Sequence, residues 1–109
     1  MEPIKGTTSD HNAPAANTAA VITYAADANR RHVIGQIAWS YDGAPTGGSV
    51  KVEDGSGTTI FEIAVTAAEP DQITFSPRLS GSYNTAMVVT LAAGGVGVTG
   101  KLTVRHHTF

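Results

Sequence analysis

From Thr18 onward the chain alternates apolar and polar residues with a period of two, and turn residues interrupt it at roughly ten-residue intervals. No ten-residue stretch places apolar side chains at i, i+3, i+4 and i+7. The chain therefore reads as strands, and alternating βα units are not expected. The strongest strand spans residues 31–42. There Val33, Gly35, Ile37, Trp39 and Tyr41 alternate with His32, Ile34, Gln36, Ala38 and Ser40. Gly35 inside that run predicts a bulge or a close backbone approach. Trp39 is expected to be the central core residue.

The other strands follow the same rule. Residues 19–25 place Ala20, Ile22 and Tyr24 on one face. Residues 49–53 put Val50 and Val52 inward, and residues 58–66 return with Phe61, Ile63 and Val65 on the core face. Asp54-Gly55-Ser56-Gly57 between them is a hairpin signal, because glycine reaches positive φ without steric cost. Residues 73–75 form a short strand, followed by Pro77 and a polar loop over 79–84. Residues 85–92 carry Met87, Val89 and Leu91 on one face; residues 98–106 carry Leu102 and Val104. Seven or eight short strands at this spacing predict an all-β fold, an antiparallel β-sandwich of jelly-roll-like form.

Residues 1–17 break the pattern. They are small, polar and proline-containing, with too little apolar surface to repay ordering on their own. They are expected as an extended, flexible N-terminal arm ahead of one domain over 18–109. Pro3, Ile4, Thr7, Thr8, His11 and Pro14 are its candidate subunit or capsid contacts. A chain of 109 residues suits one domain.

Composition narrows the function. Charged residues make up 15% of the chain, against roughly 25% in soluble domains, which suits a subunit packed among neighbours. The formal net charge of −2 argues against nucleic acid as partner, since binding there rests on cations that displace counterions. With no cysteine there is no disulfide frame, thiol nucleophile or thiolate metal site. No stretch reaches the roughly 20 apolar residues of a membrane-spanning helix. Met1 to Gly6 lacks a basic segment leading into an apolar one, so synthesis in a cytoplasm without a leader is expected.

No catalytic pattern stands out. His106 and His107 are adjacent, so in a strand they point to opposite faces and cannot share an ion. The carboxylates fall mostly at turns or outward strand positions. Gly55-Ser56-Gly57 lacks the spacing of a nucleophile elbow. Gly94-Gly95-Val96-Gly97 lacks the lysine and helix of a phosphate loop. No catalytic residue, metal or cofactor is expected. Glycan binding is the rival reading: Tyr41, Asp42, Tyr83 and Asn84 sit at strand ends or loops, where an aromatic ring stacks on a sugar beside a polar side chain. The chain holds seven aromatic residues, however, and the core claims most of them.

The segment 32–42 (HVIGQIAWSYD), with 44–48 (APTGG), 52–57 (VEDGSG), 84–86 (NTA) and 89–95 (VTLAAGG), resembles small β-sandwich proteins encoded among the virion genes of tailed bacteriophages. The resemblance covers roughly residues 18–105. It implies a non-enzymatic virion protein made in the host cytoplasm, most plausibly a capsid decoration (cement) protein. It also implies a homotrimer as the working form, with the major capsid protein as partner and neither nucleic acid nor membrane involved. Tail or fibre components share such folds, so a place in the tail stays open, as does the glycan-binding alternative.

Overall fold

The computed structural model describes residues 6–68 and 70–109. Among them are eight strands and no helix: β1 (Gly6–Asn12), β2 (Ala20–Tyr24), β3 (His32–Tyr41), β4 (Ser49–Asp54), β5 (Thr59–Ala64), β6 (Asp71–Ser80), β7 (Met87–Leu91) and β8 (Gly100–Thr108). They form two antiparallel four-stranded sheets, ordered β1-β8-β3-β6 and β2-β7-β4-β5. Only β4 and β5 are sequence neighbours joined as a hairpin. Every other connection crosses between sheets, so the fold is a two-sheet jelly roll. The hairpin turns as its residues predict, with Gly55 and Gly57 at positive φ and Asp54 N–H donating to the Thr58 carbonyl.

Alternation builds the core. On β8, Leu102, Val104 and His106 point inward while Lys101 and Arg105 face solvent. On β4 and β7, Val50, Val52, Met87, Val89 and Leu91 are all fully buried. They meet Ile34, Ile37, Trp39 and Leu102 of the opposite sheet in one cluster. Filling such a space stabilises the fold by about 25 cal/mol for each Å² of apolar surface removed from water.

Gly35 is the bulge. The register of β3 shifts between Ile34 and Gln36 against both β6 and β8. The shift corrects the simple alternation of β3. After the bulge Ile37, Trp39 and Tyr41 face inward, but before it His32 and Ile34 do, opposite Thr108 and His106. Val33 pairs with His107 and faces the outer side of the sheet.

Two further expectations change. Gly6–Asn12 does not lie outside the sandwich as an arm. It pairs with β8 from Gly6↔Thr108 to Asn12↔Leu102, so the sandwich includes residues ahead of Thr18. Its backbone gains a ladder that its side chains do not announce. The short strand at 73–75 is in fact the ten-residue β6, which takes in Leu79 and Ser80 of the expected loop. Pro77 is tolerated because β6 is an edge strand. The register steps from Thr74 to Leu79 there, so Phe75 to Arg78 leave the ladder opposite Gly35.

Candidate interaction surfaces

The sandwich has two flanks, each where the edge strands of the two sheets meet. On the first, β1 faces β2, and polar side chains join them. Asn12 Nδ2 donates to the Val21 carbonyl at 2.8 Å. The Tyr24 hydroxyl donates to Asp10 Oδ2 at 2.7 Å, and the Thr8 hydroxyl to the same oxygen at 2.6 Å. Behind them the Tyr24 ring stacks on His106, with centroids 3.7 Å apart and planes 8° from parallel. His106 Nε2 lies 2.8 Å from His32 Nδ1, and His32 Nε2 lies 2.7 Å from the Ala25 carbonyl. That carbonyl only accepts, so His32 carries its proton on Nε2, and neutral His106 donates from Nε2 to His32 Nδ1.

Both imidazoles are buried. Burial, then the neighbouring His32, pulls the His106 pKa down to about 4. Burial, then the hydrogen bond to Asp10, pushes the Tyr24 phenol well above its ordinary range. At neutral pH His106 and Tyr24 are both uncharged, and their stack is anchored on Asp10. It locks β1 and β2 across the sheets. Among the described residues no group of three or more His, Asp or Glu side chains is placed to hold one metal ion.

On the second flank β5 faces β6, and the closure is apolar and incomplete. Phe61 and Phe75 meet edge to face with centroids 5.0 Å apart. Ile63 pairs with fully buried Val50 and so shares its inward face, yet it remains 39% exposed. The expected core position of Ile63 is thus only half realised, because no strand beyond β5 covers it. Next to it Trp39, Val65, Pro70 and Asp71 line a surface depression between the sheets. The outer edge of β5 also leaves its backbone groups without a ladder partner. Within Thr59–Ala64, Glu62 is the only charge and there is no proline, so the edge lacks the usual protections against pairing.

The residues considered for glycan contact do not converge. Tyr41 is 5% exposed, and its hydroxyl donates to the Ala92 carbonyl at 2.6 Å. It is a core residue, and burial raises its pKa. Asp42 is exposed at the same end of β3, where its carboxylate accepts from Thr99 N–H at 2.7 Å. Tyr83 and Asn84 lie at the opposite end of β3, about 30 Å away along a ten-residue strand. Asn84 sits at φ 57° and accepts from Asn29 N–H, which makes it a turn residue. Tyr83 is 44% exposed, with the Arg31 guanidinium 5.5 Å from its ring centre. Of the arm residues, Thr7 and His11 point outward from β1, and Thr8 points into the first flank. Pro14 lies half-buried between β1 and β2. Pro3 and Ile4 fall outside the described residues.

The buried His32–His106 pair is the feature the sequence pattern hid. The two residues are 74 apart, and the bulge at Gly35 is what turns His32 inward.

By fold the chain is a two-sheet antiparallel β-sandwich module. No protein-family model matches it, and neither does any curated protein. Among solved structures, the carbohydrate-binding module CBM36, in complex with calcium and xylotriose, aligns over 96% of this chain and 90% of its own, with a TM-score of 0.45 and 16% identity.

Proposed function

We propose that the chain is a structural protein of a tailed-bacteriophage virion, a capsid decoration protein that stabilises the shell by protein–protein contact without catalysis. Its partners are then further copies of itself, as a homotrimer, and the major capsid protein. Its place is the virion, after synthesis in the host cytoplasm.

The observation that carries the reading is the β5–β6 flank. A folded module gains by burying Phe61, Ile63 and Phe75, and this one leaves them half-covered beside an unprotected strand edge. Such an edge suits the packing of a neighbouring subunit. The sequence resemblance to phage virion proteins supports a virion subunit as that neighbour.

The test has two parts. Mass spectrometry of purified particles, from the phage whose genome encodes the chain, should find it in fixed proportion to the major capsid protein. Ile63→Glu should fold normally yet bind shells at least about tenfold more weakly. Absence from the particles, or full binding by the variant, overturns the proposal.

A further inference from the structure

The outer face of the β1-β8-β3-β6 sheet is polar and carries cations. Its register gives the outward set directly. Thr7, Ser9 and His11 on β1 pair with His107, Arg105 and Thr103 on β8. Gln36, Ala38 and Ser40 on β3 pair with Arg105, Thr103 and Lys101. Thr74 and Gln72 on β6 pair with Gln36 and Ala38. Among these residues there is no Asp or Glu. Asp10, the one acid on β1, points inward to Tyr24, and the acids of β4 and β5 belong to the other sheet. A chain of net charge −2 therefore carries a positive face.

The cations follow the strand direction. Lys101 and Arg105 both face out from β8, about 13 Å apart along it. Arg78 lies beside Phe109, which follows β8, with its guanidinium 5.9 Å from that ring centre. Among the described residues no carboxylate pairs with Arg78, Lys101 or Arg105. Along β3 the outward residues Gly35, Ala38 and Ser40 are short, so the longer residues on either side stand above them as walls. Two depressions result. Thr7, Ser9, Gln36, Thr74, Arg105 and His107 line one. His11, Ser40, Gln72, Lys101 and Thr103 line the other, with Asp71 at its rim.

We propose that this face binds a linear polysaccharide carrying carboxylates. Charge complementarity supplies the first argument: among the described residues Lys101 and Arg105 face outward without a carboxylate partner, Asp71 being the one acid at the edge, and such cations attract a chain of repeated negative charge. The remaining lining supplies the second. Its polar part is made of the imidazoles of His11 and His107 and of hydroxyls and amides (Thr7, Ser9, Gln36, Gln72, Thr74, Thr103), which match sugar hydroxyls as donors and acceptors. The missing groups exclude other occupants. Among the outward residues of the four strands there is no Tyr, Phe or Trp on which a nucleic-acid base or an uncharged sugar could stack; Trp39 is buried, and the rings present are the imidazoles of His11 and His107. Nor does the face hold the large apolar or aromatic anchor on which a protein partner would centre. This surface is on a different sheet face from the β5–β6 flank, so the inference does not rest on the virion reading.

The test uses the full chain with two linear polyuronates, polygalacturonate and alginate, in affinity electrophoresis and titration calorimetry. Methyl-esterified polygalacturonate serves as the uncharged control and oligo-dT as the phosphate control. At low salt at least one polyuronate should bind, and the esterified polymer and oligo-dT should not. High salt should weaken binding. The double variant Lys101→Gln, Arg105→Gln should weaken it about tenfold or more, while Glu62→Gln on the other sheet leaves it unchanged. Circular dichroism establishes that each variant is folded, and Lys101→Gln alone is the milder form if the double variant is not. The proposal falls if neither polyuronate binds, if the esterified polymer binds equally, if oligo-dT binds as tightly, or if the folded variants bind like the parent.

Discussion

At the β1–β2 flank the two sheets are tied by side-chain hydrogen bonds from Asp10, Asn12, Tyr24 and the two buried histidines. At the β5–β6 flank the contact among the described side chains is apolar, with two phenyl rings meeting edge to face, and Ile63 stays 39% exposed. The first closure is directional and complete, since nearly every polar group in it has a partner within the chain. The second is non-directional and unfinished. A sandwich needs one well-closed flank to hold its sheets in register. The other is then free to present apolar surface and an unpaired strand edge to a neighbour. The comparison separates residues that serve folding from residues that serve contact, and each class predicts a different response to mutation.

The largest effect should come from breaking the closed flank at its centre. His106→Ala removes a buried ring stacked on Tyr24 and leaves His32 Nδ1 without its donor. It should cost about 3 kcal/mol in urea unfolding. A loss below about 1 kcal/mol would mean that the network does not hold the flank.

Acid should act on the same point. His106 has a folded pKa of about 4, below its unfolded value of about 6.5. The unfolded chain therefore takes up a proton that the folded chain refuses. The histidine's contribution is intact above about pH 6.5 and is lost as the pH falls toward 4, by about 3 kcal/mol. His106→Gln should flatten that part of the stability curve. An unchanged slope in the variant would assign the acid response to other groups.

A smaller effect is expected at the mouth of the same flank. Asp10→Ala leaves the Tyr24 and Thr8 hydroxyls without their acceptor and should cost about 1–2 kcal/mol, measured as a shift in the unfolding midpoint. The smallest belongs to the open flank. Ile63→Glu should alter stability by less than about 1 kcal/mol, because that side chain is already half in water. Its effect should appear in association instead, as a loss of higher mass in light scattering. A large stability loss at Ile63 would place the open flank with the folding residues and erase the distinction.

Much of this architecture could be read from residue order. Period-two alternation locates β2, β3, β4, β5, β7 and β8, and Gly35 marks a bulge. β1 was invisible because Gly-Thr-Thr-Ser-Asp-His-Asn has no apolar face; its conformation comes from pairing with β8, a tertiary effect. β6 was read too short because Pro77 interrupts it at the place where the strand leaves its ladder. The strand order was hidden for a related reason, since all but one of the connections jump between sheets. The site was less legible than the fold. Tyr41 resembles an exposed strand-end ring, and only its hydrogen bond to Ala92 shows it to be core. The His32–His106 contact depends on a one-residue phase shift that alternation alone does not reveal.

The most direct test of the division between flanks is amide hydrogen exchange, read peptide by peptide, on the free chain and on the chain assembled into its particle. The account predicts slow exchange at β1 and β2 in both states, with β5 and β6 exchanging fast when free and becoming protected on assembly. Protection that appears at β1 and β2 while β5 and β6 stay unchanged would contradict it.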